Sequence, residues 1–265
     1  MPENIEIGTI KDGDLEMDYA SLGDGEKVFL MLPGLSLTPV TPSAEAIAAA
    51  YAPALEDYTI YLFDRRKNVS PGYSCMDMAD DTVRAMDILG IKHAYIFGVS
   101  QGGMIAQCIA IYHPEYVEKL LLASTVSRSS GVSNAVFKRW IELAENGDRR
   151  ALNRSFARSI YTPEFVEKYA DAFAAAEDQG TPEQLEQFAI FSRACMEFDI
   201  YDELDGIKCP VMVIGAANDR VLTAASSLEI AEKLGCECYI YEHYGHAVYD
   251  EAPDYLERVL DFFNR

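Results

Sequence analysis

The sequence predicts an α/β protein: a mostly parallel central sheet with helices on both faces, plus an all-helical insertion. Short apolar runs rich in β-branched and aromatic residues recur along the chain, and helical patterns separate most of them. This alternation is typical of parallel sheets, whose strands are buried on both faces. The alternation stops between about 126 and 205, where only helical patterns occur.

The predicted strands begin with a pair in residues 3–21, which makes the sheet mixed. Leu15, Met17 and Tyr19 alternate with polar residues, as in a half-buried strand, and KDGD at 11–14 supplies the turn. The remaining predicted strands are short runs rich in β-branched or aromatic residues, of which the first is continuously apolar, as in a strand buried on both faces. They are KVFLMLPG, YTIYLFD (58–64), HAYIFGV (93–99), VEKLLLAS (117–124), CPVMVIGA (209–216) and CECYIYEH (236–243).

The predicted helices fall between and after these strands. The apolar positions favour helices over residues 79–90, 101–113, 223–234 and about 250–264. Nearly every position of 101–113 is apolar, so that helix is expected to be buried on all sides. Four further helical patterns, rich in aromatic residues, lie between about 126 and 205. We therefore divide the chain into an α/β core (1–125 and 206–265) and a helical insertion (126–205).

Composition limits the classes of partner. A chain of 265 residues with a net charge of −21 repels nucleic acid and anionic membranes. Its start resembles no signal peptide, and no run approaches the roughly 18 apolar residues of a membrane span. We therefore expect a cytoplasmic monomer or homodimer. Six cysteines without a CxxC pair indicate reduced thiols and no metal site.

Ser100 is the candidate nucleophile. It is the central residue of GVSQG (98–102), which has the form G-x-S-x-G and lies between a predicted strand and a predicted helix. Glycines at 98 and 102 permit a sharp turn that projects the hydroxyl at the carboxyl edge of the sheet, beside a helix N-terminus. The alternative is a strand–helix turn that only requires small residues.

A serine needs a base and an orienting acid to act as a nucleophile. His246 follows the last strand and should reach the same sheet edge as Ser100, whereas His243, near the end of that strand, is the alternative. Asp219 follows the strand 209–216, and LLASTVS after the preceding strand contains no acid. Aspartate is also common in surface turns, which is the alternative role of Asp219.

The chain resembles the α/β-hydrolase family over nearly its whole length. The order Ser100, Asp219, His246 and the segments GVSQGG, GAANDRV and GHAVYDEAPDYLERVLDFF carry the resemblance. It implies a Ser-His-Asp triad, and it implies that the insertion is a cap that acts as a substrate lid. It also implies an oxyanion hole built from the backbone N–H groups of Gln101 and Leu35. Many relatives have His-Gly in the second loop, where this chain has Pro33-Gly34.

The resemblance implies a serine hydrolase of carboxylic esters or related acyl compounds that forms an acyl-enzyme without metal or organic cofactor. A small-molecule acyl substrate would enter an apolar pocket lined by the aromatic residues of the insertion. Lactonase, thioesterase, C–C hydrolase, aminopeptidase and acyltransferase activities share the same site and stay open, because specificity depends on cap and pocket shape. An inactive ligand-binding protein on this scaffold is an alternative of another class.

Three consecutive basic residues, Arg65, Arg66 and Lys67, stand out in the acidic chain. Relatives often carry Asp-x-Arg-Gly-x-Gly-x-Ser at this place, and this chain reads DRRKNVSPGYS. One hypothesis is that a basic side chain attracts a carboxylate-bearing substrate. The alternative is that an arginine anchors the loop to the sheet.

Overall fold

A computed structural model describes residues 4–265 and contains an eight-stranded sheet in the order β1-β2-β4-β3-β5-β6-β7-β8. The strands are β1 (Ile5–Asp12), β2 (Leu15–Leu22), β3 (Lys27–Leu32), β4 (Tyr58–Phe63), β5 (Ala94–Val99), β6 (Val117–Ala123), β7 (Val211–Ala216) and β8 (Glu237–Tyr241). Strand β2 pairs antiparallel with β1 and β4, and the other neighbouring strands are parallel. The carboxyl ends of the parallel strands therefore share one edge, where α/β proteins build their sites.

Helices cover both faces of this sheet, which confirms the predicted α/β class. They are α1 (Ala44–Ala50), α2 (Cys75–Ile88), α3 (Gln101–Tyr112), α4 (Gly131–Glu145), α5 (Arg149–Ile160), α6 (Pro163–Lys168), α7 (Ala170–Ala176), α8 (Pro182–Met196), α9 (Ala224–Leu234), α10 (Val248–Glu251) and α11 (Tyr255–Asn264). One core packs α2, α3 and α9 on the sheet, and a second core packs α1 and α11 on its other face. Among residues 4–265, no helix combines the length and apolar character that crossing a bilayer requires.

Helices α4 to α8 occupy the segment between β6 and β7. Their aromatic residues pack on each other: the Trp140 ring lies 4.8 Å from Phe156 and 5.6 Å from Phe137, centroid to centroid. In this fully described segment the β contact is a single bridge between Arg128 and Asp199. The helical content agrees with the pattern, while the division into core and cap stays a prediction.

The helix predicted over 79–90 is observed as Cys75–Ile88, two other predicted helices are divided, and one helix was not predicted. The helix expected over 250–264 is broken into α10 and α11, because Pro253 has no N–H to donate and favours extended backbone at Ala252 (φ −88°, ψ 123°). The predicted helical pattern of Phe165, Tyr169 and Phe173 is divided at Tyr169 (φ −111°, ψ 26°) into α6 and α7. Helix α1 was missed because its alanine-rich sequence has no amphipathic pattern.

Candidate active site

Ser100 occupies a sharp turn between β5 and α3. Its backbone has a φ of 54° and a ψ of −119°, a conformation that residues other than glycine rarely adopt. Two hydrogen bonds hold it: Ser100 N–H donates to the Ala123 carbonyl (2.9 Å), and Thr125 Oγ1 donates to the Ser100 carbonyl (2.7 Å). Neither bond uses the Ser100 hydroxyl, which therefore stays available.

The glycines on either side of Ser100 are sterically required. A Cβ at Gly102 would lie 2.0 Å from the Leu32 carbonyl oxygen, and one at Gly98 would lie 2.6 Å from the Gly102 carbonyl oxygen. Both obstacles are backbone atoms, which cannot move aside as a flexible side chain can. Strand β3 and helix α3 can therefore approach each other only because residue 102 lacks a side chain.

Replacing Gly102 with Ala is expected to destabilise the protein by about 3 kcal/mol, because an overpacked site must displace backbone. For a chain of this size that lowers Tm by about 10 °C, which calorimetry or circular dichroism measures. Gly131→Ala is the matched control, since a Cβ there meets nothing within 4 Å and Ala favours the helix. Equal Tm values for the two variants would contradict the steric argument.

The structure brings Asp219 and His246 into direct contact. Asp219 follows β7, and its Oδ1 accepts hydrogen bonds from the N–H groups of Val221 (2.8 Å) and Leu222 (2.9 Å). Its Oδ2 lies 2.8 Å from His246 Nδ1, and the two side chains are 2% and 4% exposed. An Nδ1–H donated to the carboxylate leaves Nε2 as the free basic nitrogen of the ring.

The surroundings of Asp219 keep its carboxylate ionised. Burial raises the pKa of this carboxyl group, but the charge of His246 and the hydrogen bonds from His246, Leu222 and Val221 lower it by more. The net pKa of Asp219 therefore lies below its usual value. A buried anion in this position can stabilise an imidazolium when His246 gains a proton.

Ser100, His246 and Leu35 line one cavity of about 500 Å³, and Asp219 lies behind the His246 ring. The alternative base, His243, is exposed and makes no hydrogen bond to Asp219 in the described chain. The insertion contributes Trp140, Phe156, Ile160 and Tyr161 to the cavity wall, and α10 contributes Tyr249 and Asp250.

Sequence reasoning missed two polar residues of this wall, Tyr161 and Asp250. The available signal was position, since Asp250 comes four residues after His246. Tyr161 gave no such signal, because it belongs to an aromatic-rich insertion in which no single phenol stands out.

The two N–H groups proposed for the oxyanion hole are free of protein partners. Within residues 4–265, neither Gln101 N–H nor Leu35 N–H donates to a protein acceptor. The loop that carries Leu35 passes directly beside the nucleophile, since a Cβ at Gly34 would lie 3.2 Å from Ser100 Cβ and 3.7 Å from Ser100 Oγ. This arrangement is compatible with two donors next to Ser100.

Two members of the basic cluster are already paired with carboxylates of the protein. Arg66 lies 2.7 Å from Asp14 and 3.5 Å from Asp81, and Lys67 lies 2.8 Å from Asp18. Neither side chain lines the cavity of Ser100. These contacts favour the anchoring role over the attraction of a substrate carboxylate.

Arg65 links the two loops that would hold an oxyanion. Its Nη2 donates to the Pro33 carbonyl (2.6 Å) and its Nε to Gln101 Oε1 (3.4 Å). The Gln101 side chain in turn donates to the Phe191 carbonyl (2.9 Å) in helix α8. The arginine fork can therefore fix the spacing between the Pro33 loop and the start of α3.

Arg65→Lys is expected to lower kcat about tenfold while KM changes less than twofold, because one ammonium cannot hold both loops and misplaced oxyanion donors act mainly on the transition state. Steady-state kinetics with an activated ester measures the two parameters. Arg66→Lys, which changes the neighbouring and outward-paired residue in the same way, should leave both unchanged. A lower Tm with an unaltered kcat would reduce Arg65 to a structural anchor.

Comparisons with known proteins agree with this architecture. A family model described as alpha/beta hydrolase fold matches residues 27–253. A protein of Rhizobium rhizogenes provisionally named carbamate hydrolase RutD is 28% identical over 231 residues, 83% of this chain and 86% of the relative. The 3-oxoadipate enol-lactonase 2 of Acinetobacter baylyi is 25% identical over 232 residues, 85% of this chain and 84% of the relative. The solved structure of the enol-lactonase from Burkholderia xenovorans LB400 superposes with a TM-score of 0.82 at 21% identity and covers 97% of this chain and 100% of its own.

Proposed function

Because the chain belongs to the alpha/beta hydrolase fold family, we propose that it is a serine hydrolase of carboxylic esters or related acyl compounds. The observation that carries the proposal is the buried contact between Asp219 and His246, together with the cavity that His246 shares with Ser100. A carboxylate, an imidazole and a hydroxyl in this chain order are the components of nucleophilic acyl transfer.

In the proposed mechanism, His246 Nε2 removes the proton from Ser100 Oγ as the oxygen attacks the substrate carbonyl carbon. The negative charge on the carbonyl oxygen is held by the Gln101 and Leu35 N–H groups, and the Asp219 carboxylate stabilises the imidazolium. His246 then gives the proton to the leaving group, which departs and leaves an acyl-enzyme. Water, deprotonated by the same imidazole, releases the acid and restores the Ser100 hydroxyl.

We further propose that the insertion, residues 126–205, is a cap over the substrate. Trp140 and Phe156 from α4 and α5 line the cavity opposite the sheet edge, and these aromatic rings give it an apolar wall. An apolar wall of this kind favours a small to medium acyl or alcohol group.

Lactone hydrolysis is the second candidate, because two of the similar proteins carry enol-lactonase in their names. A lactone uses the same nucleophile, base and oxyanion donors, and its leaving alcohol stays attached to the acyl chain. The carbamate named for the Rhizobium relative would use the same groups on a more stable carbonyl.

The proposed function is tested by pre-steady-state hydrolysis of p-nitrophenyl butanoate. An acyl-enzyme mechanism predicts a rapid burst of p-nitrophenolate, about one equivalent per protein, before slower turnover. A panel containing an enol lactone and an aryl carbamate then ranks the bond types by kcat/KM. A folded protein that hydrolyses none of these would favour a ligand-binding role on the same scaffold.

A further inference from the structure

Asp250 and Tyr161 form a polar pair in the wall of the cavity that contains Ser100. Tyr161 Oη donates to Asp250 Oδ2 over 2.7 Å. This contact uses only Oδ2, so Tyr161 gives no hydrogen bond to the second carboxylate oxygen, Oδ1. The Asp250 residue is exposed although it lies among the aromatic side chains of the wall, so a ligand in the cavity can reach it.

In residues 4–265, neither a lysine nor an arginine pairs with Asp250. Among the described residues that line the cavity there is no lysine or arginine, and Asp250 is its one acidic residue. Lys168 and Arg220 share a separate pocket with Thr162 and Glu251, the residues next to the pair, and neither cation lines the cavity of Ser100. An anionic group on a substrate would therefore meet repulsion in the cavity, and a donor or cation would meet an acceptor.

The pKa of Asp250 agrees with an uncompensated carboxyl group. Although Asp250 keeps contact with solvent, the protein atoms around its carboxyl group displace water and raise this pKa; the hydrogen bond from Tyr161 lowers it, and the neighbouring charge of Glu251 raises it again, so that the net shift is upward. Carboxylates whose charge the protein satisfies show the opposite shift, as Asp219 does. A bound cation would supply the missing partner.

The pair is held at a fixed place relative to the proposed base. Ala247 N–H, next to His246, donates to the Ile160 carbonyl over 2.8 Å. Thr162 N–H donates to Glu251 Oε1 over 3.2 Å, so the residues on either side of Tyr161 and Asp250 are tied together. A group bound by the pair would therefore sit at a defined distance from a carbonyl at Ser100, which is what specificity for a remote group requires.

We propose that Asp250 and Tyr161 form an acceptor subsite, which selects acyl substrates with an ammonium or hydroxyl group remote from the reacting carbonyl and disfavours those with a free carboxylate. The second carboxylate oxygen of Asp250 accepts the donor, and the Tyr161 phenol orients the carboxylate. The inference rests on the proposed function only for the placement of the carbonyl at Ser100.

Binding to the Ser100→Ala variant tests the subsite without catalysis. We expect 6-aminohexanamide to bind about tenfold more tightly than adipic acid monoamide, as measured by calorimetry. Asp250→Asn in the same background keeps an acceptor for Tyr161 but removes the charge, and should bring the two affinities to within about threefold. Tyr161→Phe should weaken the preference by a smaller factor.

Glu242→Gln is the matched control, because it removes the same charge as Asp250→Asn. Glu242 is exposed and does not line the cavity. It should preserve the preference for the ammonium ligand. A preference that survives Asp250→Asn, equal affinities of the two ligands, or no binding of the ammonium ligand at millimolar concentration would each overturn the proposal.

Hydrolysis separates this proposal from the proposed function. The substrates are p-nitrophenyl esters of one chain length that end in a dimethylammonium group, which keeps one N–H donor, or in a carboxylate, and the readout is the ratio of their kcat/KM values in wild type and Asp250→Asn. If Ser100 is not a nucleophile, neither ester turns over while the binding preference still depends on Asp250. If the esters turn over and their ratio ignores Asp250, the subsite is wrong and the serine hydrolase stands.

Discussion

Ser100→Ala is expected to lower kcat/KM for a p-nitrophenyl ester by about 10⁵-fold, the loss typical of removing the nucleophile of a triad. Within residues 4–265 the Ser100 hydroxyl makes no hydrogen bond to the protein. Its removal therefore leaves the turn in place, and Tm should change by less than about 2 °C. The residual rate would reflect binding and the oxyanion donors alone.

Steady-state kinetics over a range of ester concentrations measures this loss, with Tm recorded on the same preparation. Ser70→Ala is the matched control, since Ser70 is exposed in a loop and does not line the cavity. It should retain the wild-type kcat/KM. A Ser100→Ala variant that keeps activity within tenfold of wild type would place the chemistry elsewhere.

Asp219→Asn is expected to reduce kcat by about 10⁴-fold, because the asparagine amide presents a donor to His246 and favours the wrong tautomer of the ring. Asn Oδ1 can still accept from the Val221 and Leu222 N–H groups, so the loop after β7 should keep its shape. Asp171→Asn, on the exposed surface of α7, is the control of equal charge change. Comparable activity of the two variants would contradict the orienting role of Asp219.

The lowered pKa of Asp219 also gives a dependence of stability on pH. A carboxyl group with a lower pKa in the folded chain than in the unfolded chain stabilises the fold fully above the unfolded value, about 3.9. That contribution is lost as the pH falls through the folded pKa, because the unfolded chain then binds the proton first. Between about pH 5 and pH 2, the free energy of unfolding of wild type should fall more steeply than that of Asp219→Asn. Equal slopes in chemical denaturation would contradict this reading.

The elements predicted best are those whose own apolar residues indicate that they are buried. Strands such as β5 and β7 are continuous apolar runs, and the mostly apolar α3 is buried as its composition requires. Helix α1 buries only small residues, Ala44 and Ala48, and leaves no pattern to read. The break after α10 was readable from Pro253, but the apolar spacing on either side outweighed it.

Part of the candidate site could be predicted from sequence and part could not. The chain order and the sheet edge place Ser100, Asp219 and His246 in one region, because strand ends can be read from sequence. The contact between Tyr161 and Asp250 joins residues 89 positions apart, and it depends on how the insertion returns to the loop after β8. No local pattern encodes such a pairing.

The partners of the basic cluster could have been read more closely. Glu16 and Asp18 alternate with Leu15 and Met17 in β2, so their carboxylates share one face of the strand, and Asp14 lies in the turn just before it. Acidic side chains on one face of a strand favour neighbouring cations. Lys67 pairs with both Glu16 and Asp18, while Arg66 pairs with Asp14 in the turn and with Asp81 of α2.

Fluorophosphonate labelling, with the adduct located by intact and peptide mass spectrometry, tests the central claim most directly, because the probe requires an activated serine beside an oxyanion hole and no particular substrate. The account predicts one adduct per wild-type chain, on Ser100, and none on Ser100→Ala. A folded wild-type protein that gains no adduct, or gains it at another residue, would contradict the assignment of Ser100 as the nucleophile of a serine hydrolase.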